Sequence, residues 1–240
     1  MTGDDIPLQV DGICASYQGV PAIDNVSLRL RRGSITTVIG ANGAGKSTVI
    51  KCICGLVPTD RGKVRLFGQD VTGMPPDELV RRGLSVVPEG RRLFSDMTLR
   101  ENLELGAYTR SDATAVARDL ERVLTLFPDL RDRMSTMVNR FSGGQQQMVA
   151  VARAMMSAPR VMLLDEPTIG LAPVIVERIG NLIGEISRSG VTVLFVEQNA
   201  EIALEIADDA YILESGKVIA EDTAANLAQT DEVKKAYLGV

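Results

Sequence analysis

Gly40-Ala41-Asn42-Gly43-Ala44-Gly45-Lys46-Ser47 fits the spacing G-x-x-x-x-G-K-S at every fixed position. A loop of this composition binds a phosphate chain. Its glycines let backbone N–H groups turn inward. Lys46 would reach the β- and γ-phosphates, and the Ser47 hydroxyl would meet Mg²⁺. A helix starting there, with Thr48 in its first turn, adds the positive end of its dipole. The plain alternative is a glycine-rich turn with no ligand. A full match lying between a β-branched run and a helix-like run argues against it.

Two further clusters carry chemistry. Val161-Met162-Leu163-Leu164 is followed by Asp165-Glu166, so two carboxylates emerge at the carboxyl end of a buried strand, where open parallel sheets bind ligands. Asp165 suits the Mg²⁺ shell through water, and Glu166 suits the general base that orients or deprotonates an attacking water. An isolated Asp-Glu pair would more often cap a helix; beside a phosphate loop, catalysis is the better reading. Phe141-Ser142-Gly143-Gly144-Gln145 opens a helical run. Ser142 could serve only as its N-cap. The two glycines also leave N–H groups free for an anion, and the distance in sequence from the phosphate loop suits a second nucleotide.

The elements that must position these groups follow from periodicity. Strands are expected at 26–30, 35–39, 64–67, 84–87, 160–165 and 191–197, with a hairpin of 211–213 and 217–220 about Glu214-Ser215-Gly216. Helices are expected at 48–56, 75–82, from Ser142 to Pro159, at 174–189 and at 232–238. The segment 98–127 is rich in Leu, Ala, Glu and Arg and predicts an all-helical lobe between strands. Alternating strands and helices predict an α/β core with a mostly parallel sheet.

Composition narrows the function. The 240 residues are 45% hydrophobic and 24% charged, with a net charge of −5. That balance argues against a free-standing nucleic-acid binder. The acidic start Met1–Asp5 does not resemble a secretory leader, and the apolar runs fall short of the ~20 residues that span a bilayer. A cytosolic protein is expected, serving any membrane through partners. Cys14, Cys52 and Cys54 are expected to be small buried hydrophobes, and with no histidine in the chain the commonest transition-metal ligand is missing.

With these motifs together, the whole chain resembles the ABC ATPase family. Ser142–Gln145 looks like the family signature, with Phe141 in place of the usual leucine. The resemblance implies one ABC-type domain, 1–240. Its parts would be a P-loop core, an antiparallel β subdomain and a helical lobe inserted at about 90–159. It further implies a head-to-tail dimer with two ATPs, each held between one chain's phosphate loop and the other's signature. Tyr17 falls where members stack an aromatic ring on adenine; the plainer and less favoured alternative is an exposed strand-end tyrosine.

Three positions depart from the general pattern. Glu89 replaces the usual glutamine, Gln198 the switch histidine, and Ala172 an interface aspartate. With Val-Pro-Glu-Gly-Arg, Gly-Leu-Ala-Pro, Val-Glu-Gln-Asn-Ala and a terminal Tyr-Leu-Gly, they resemble the LivF-type ATPases of branched-chain amino acid importers. Similar ATPases serve importers of urea and short amides. The resemblance thus implies membrane permease subunits, a second ABC ATPase subunit and, indirectly, a periplasmic or extracellular solute-binding protein as partners. The place would be the inner face of the cell membrane. Gln198 is neutral, with a donor and an acceptor for a γ-phosphate oxygen and a water; it joins Glu166 and Lys46 as a candidate catalytic residue. Glu89 can approach Mg²⁺ or a basic group, and Arg91-Arg92 can offset its charge. The arginine pairs 81–82 and 91–92 are open between solvated surface and partner docking. A soluble ABC ATPase of nucleic acid or ribosomes would usually carry two linked units or basic arms. A non-hydrolysing module is disfavoured by Lys46, Asp165 and Glu166, and a P-loop kinase by Ser142–Gln145.

Overall fold

A computed structural model of the chain describes residues 5–230 and Val233. Two long strands come first, β1 (Leu8–Tyr17) and β2 (Val20–Leu30). β3 (Ile35–Ile39), the helix α1 (Lys46–Ile53), β4 (Arg61–Leu66), β5 (Gln69–Asp70), α2 (Pro76–Arg81) and β6 (Leu84–Val87) follow. Next come α3 (Leu99–Gly106), α4 (Ala113–Leu126), two 3-10 segments and α5 (Gly143–Met155). The rest comprises β7 (Val161–Asp165), α6 (Pro173–Arg188), β8 (Thr192–Glu197), α7 (Ala200–Ile206), the hairpin β9 (Asp209–Glu214) and β10 (Lys217–Thr223), and α8 (Ala224–Leu227).

The strands form two sheets. One is antiparallel, in the order β2-β1-β4-β5; the other runs β10-β9-β3-β8-β7-β6 and is parallel except for β9–β10. The central strands β3, β7 and β8 of this sheet are buried along their whole length, which is why β7 and β8 are apolar almost throughout rather than alternating; the edge strand β10 is largely exposed. Met162, Leu164, Val193 and Phe195 face one core with α3–α7. Val161, Leu163, Leu194 and Val196 face the other, with α1, β1, β2 and β4.

α3, α4 and α5 lie between β6 and β7. α3 and α5 each begin with a capping box, Thr98 with Glu101 and Ser142 with Gln145, a pattern that satisfies two orphan N–H groups. They approach so closely that a Cβ on Gly106 would fall 2.0 Å from the Arg153 carbonyl oxygen.

Several expectations needed correction. β1 was not foreseen. Its buried residues alternate at first, at Leu8 and Val10, and then run together at Ile13, Cys14 and Ala15, because the register shifts at Asp11–Gly12, where Gly12 has φ +57°. A bulge of this kind breaks period-2 patterning. β2 extends back to Val20, α1 starts at Lys46 instead of Thr48, and the helical run 98–127 is broken between Gly106 and Ala113. α7 was also unforeseen. The helix expected at 232–238 lies outside the described residues apart from Val233. Cys52 and Cys54 are buried, and burial pushes their thiols up to about 11 and about 12; both remain protonated and unreactive.

Candidate functional site

Three neighbouring parallel strands deliver the candidate residues to one edge. Ile39 pairs with Glu197 and Asp165 with Val196, so the loops leaving β3, β7 and β8 emerge side by side. The β3 loop is Gly40–Ser47. Gly43 and Gly45 have φ +82° and +106°, conformations that glycine reaches without strain. Packing also demands glycine here. A Cβ on Gly40 would lie 2.3 Å from the Leu213 carbonyl oxygen, and one on Gly45 2.7 Å from Ile23 Cγ2. Ala41, Asn42 and Gly43 are exposed, while Ala44 and Thr48 are buried. Ala44 is bonded into the turn, its N–H donating to the Ala41 carbonyl and its carbonyl accepting from Gly216 N–H.

Lys46 is 4% exposed. Its ammonium donates to the Gly40 and Ala41 carbonyls at 2.8 and 3.2 Å and lies 3.2 Å from Glu166 Oε1. The Ser47 hydroxyl donates to Asp165 Oδ1 at 2.8 Å. The phosphate loop and the acidic pair therefore meet through two adjacent contacts. Glu166 sits at φ +47° with its N–H on the Val196 carbonyl, a left-handed conformation that surrounding structure must hold. Burial pushes the Asp165 carboxyl up; the Ser47 hydrogen bond opposes this, and the charges of Glu89 and Glu166 add to it. Glu89 is exposed on the loop after β6 and acts on Asp165 through space.

Gln198 is exposed just beyond β8 and lines a cavity of about 1070 Å³ together with Glu166 and Thr168. Tyr17, 45% exposed, ends β1 opposite Val20. The same hairpin runs past Gly45 at Ala22 and Ile23, which brings its exposed end to the phosphate-loop side.

Ser142, Gly143, Gly144 and Gln145 are built into a different element, the start of α5. Ser142 Oγ accepts from Gln145 N–H at 3.3 Å; Gln145 Oε1 accepts from Ser142 N–H and from Arg133 Nη1, both at 3.0 Å. The Gln145 side chain thus faces its own helix cap. Phe141, where leucine is usual, is buried with the Arg133 guanidinium 3.9 Å from its ring centroid, a contact leucine could not make. A Cβ on Gly143 would meet the Arg91 guanidinium at 3.4 Å, and one on Gly144 would meet Ile175 Cγ2 at 2.6 Å. Ala172 leaves the N-terminus of α6 without a side-chain cap.

Sequence reasoning passed over Glu197 and Thr168. The Thr168 N–H and hydroxyl both donate to Glu197 Oε1. The available signal was Glu197 itself, a carboxylate ending a buried strand just as Asp165 does.

This sheet order, with a phosphate loop on β3 facing an acidic pair on β7 and a capped serine-glycine helix start on an inserted lobe, defines a P-loop ATPase of the cassette class. The ABC transporter family model matches residues 23–169, and the chain belongs to that family. It is 44% identical over 232 residues to the high-affinity branched-chain amino acid transport ATP-binding protein BraG of Pseudomonas aeruginosa, covering 97% of this chain and 99% of that one. It is 32% identical over 237 residues to the lipopolysaccharide export system ATP-binding protein LptB of Escherichia coli, covering 97% of each. Among solved structures it is similar to an ATP-binding cassette of an ABC transporter in its ADP conformation, at 28% identity and a TM-score of 0.87, covering 98% of this chain and 99% of that one. No helix among the described residues is long and apolar enough to cross a membrane.

Proposed function

We propose that this ABC ATPase is the motor subunit of an importer for branched-chain or other small amino acids. The observation that carries the proposal is the pair of contacts joining Lys46 to Glu166 and Ser47 to Asp165, taken with the 44% identity to a branched-chain amino acid transport protein. The amides of Gly40–Thr48 cradle the phosphates of ATP, Lys46 neutralises the β- and γ-oxygens, and Tyr17 stacks on adenine. Glu166 takes the proton of the attacking water, and Gln198 bonds a γ-phosphate oxygen and that water. Ser47 and Asp165 fit a Mg²⁺ ion. Among the described residues no group of three His, Cys, Asp or Glu could hold a metal, so phosphate oxygens and waters must complete the shell, as this cation prefers. Bound there with Glu89 nearby, the ion would neutralise charge developing on the phosphates.

Ser142–Gln145 would then face the ATP of a second ATPase subunit in a head-to-tail dimer. Membrane permeases on the inner face of the membrane would convert its closing and opening into transport, fed by a solute-binding protein.

The test has two arms. The purified chain should hydrolyse ATP with Mg²⁺. Lys46→Ala should abolish this, and Glu166→Gln should keep ATP binding while lowering the rate ~10²–10⁴-fold. Normal turnover by Glu166→Gln would remove Glu166 from the base role. Deleting the gene should abolish high-affinity uptake of labelled leucine, isoleucine or valine; intact uptake would refute the solute assignment. The similarity to LptB favours export as the second reading, which that uptake result would promote.

A further inference from the structure

Glu197 ends β8 and is 3% exposed. Desolvating a carboxylate is costly unless donors replace the lost water, and three donors do so. Thr168 supplies two to Oε1, its N–H at 3.0 Å and its hydroxyl at 2.6 Å, the latter in the short range expected of O–H···O⁻ bonds. The Gln198 N–H donates to Oε2 at 3.2 Å. Burial pushes the carboxyl up, the Thr168 and Gln198 donors pull it back, and the charge of Glu166 adds to the rise.

The donors come from two different loops. Thr168 follows Glu166 by two residues on the loop leaving β7, and Gln198 begins the loop leaving β8. Glu166, Thr168, Glu197 and Gln198 all line the same cavity. A carboxylate whose donors all came from one loop would order only that loop. One oxygen for each loop is a different arrangement, because it fixes the spacing between them. Fixed spacing has particular value in a chain without histidine. Gln198 carries no charge to draw its side chain toward a phosphate, so its aim must come from its backbone.

We propose that Glu197 is a positioning residue for hydrolysis: its carboxylate ties the Thr168 loop to the Gln198 loop and so holds Glu166 and Gln198 in mutual register. This rests on the roles given above to Glu166 and Gln198, and it adds a residue that acts through them.

Glu197→Gln keeps the size but leaves one accepting atom for donors on two loops. In the full-length protein it should leave the KM for ATP within about 2-fold and lower kcat about 10–100-fold, the scale on which misplacement of roughly 1 Å costs rate. Thr168→Val approaches the tie from the other end and should also lower kcat, whereas Thr168→Ser, which keeps the hydroxyl, should restore most of it. The Glu197→Gln/Thr168→Val double variant should be no slower than the slower single variant, because both break one device. Amide hydrogen exchange reads the tie without turnover, and the Gln198 N–H should exchange at least about 10-fold faster in Glu197→Gln, since a lost hydrogen bond opens that amide. Unchanged kcat, kcat losses that multiply in the double variant, or a kcat loss matched by an equal rise in KM would overturn the positioning role. Unchanged exchange at Gln198 would overturn the tie itself. No turnover by the wild-type protein when assembled with its second ATPase subunit and permeases would refute the motor reading and the catalytic part of this proposal together, while the exchange result would still decide whether the two loops are linked.

Discussion

Gly144 separates two reasons for a glycine at the start of α5. An anion site wants glycine so that N–H groups stay open. Packing wants it because a Cβ would sit 2.6 Å from Ile175 Cγ2 and 3.2 Å from its Cγ1. Gly144→Ala tests the second reason. Ile175 lies in the first turn of α6, where a β-branched side chain has one strongly preferred rotamer, so its methyl cannot swing aside freely. Overpacking of this kind costs about 1–3 kcal/mol. Alanine returns up to about 1 kcal/mol of helix propensity over glycine. Taking that full gain, the net loss is about 0–2 kcal/mol, or up to roughly 8 °C in melting temperature for a chain of this length. In an Ile175→Ala background the clash is gone and only propensity remains, so the same substitution should stabilise by up to about 1 kcal/mol. Urea or thermal melts of the four proteins measure both effects. If Gly144→Ala stabilises the chain with Ile175 intact, the steric argument is wrong.

Gln198→Ala should slow hydrolysis about 10-fold or more while leaving ATP affinity nearly intact, as expected for a group needed chiefly in the transition state; an unchanged maximal rate in steady-state assays would reduce Gln198 to a loop residue. Ser142→Arg should leave ATP binding by the isolated chain intact, since Gly40–Thr48 and Tyr17 are untouched, yet prevent ATP-driven dimerisation of the Glu166→Gln protein. Equilibrium binding and light scattering test this, and unimpaired dimerisation would sink the shared-site geometry. Asp165 carries a pH signature. Burial raises its folded-state value, so between the usual carboxylate range and that raised value the folded chain binds more protons, and stability falls as pH rises through the window. Asp165→Asn removes that cost and should stabilise the chain more at neutral pH than in acid, in urea melts across pH; equal gains at both would refute the burial account.

The site was legible in sequence wherever chemistry and local pattern coincided. Gly40–Ser47 announces itself by spacing, and Asp165-Glu166 by following four apolar residues. The β7 and β8 runs are apolar because both faces of the sheet are covered there, and a run of that kind survives without context. β1 did not survive, because the bulge at Gly12 breaks its alternation halfway along. α7 was too short, at seven residues, for helical periodicity to stand out. Contacts across the sheet were out of reach in principle. Ser47 and Asp165 lie 118 positions apart, and nothing local to Glu197 reveals that its donors come from two loops. Gly144 shows the converse, a residue noticed for one reason whose packing supplies another.

The ion pair between Lys46 and Glu166 makes nucleotide binding an exchange. The lysine that must neutralise phosphate oxygens already holds a carboxylate, and both groups are buried. ATP must therefore compete with the protein's own anion, and its measured affinity is a difference between two attractions to one ammonium. Replacing Glu166 by a neutral glutamine removes the competitor as well as the base. Tighter ATP binding by that variant would then report a freed lysine, and not only slower loss of the nucleotide through hydrolysis.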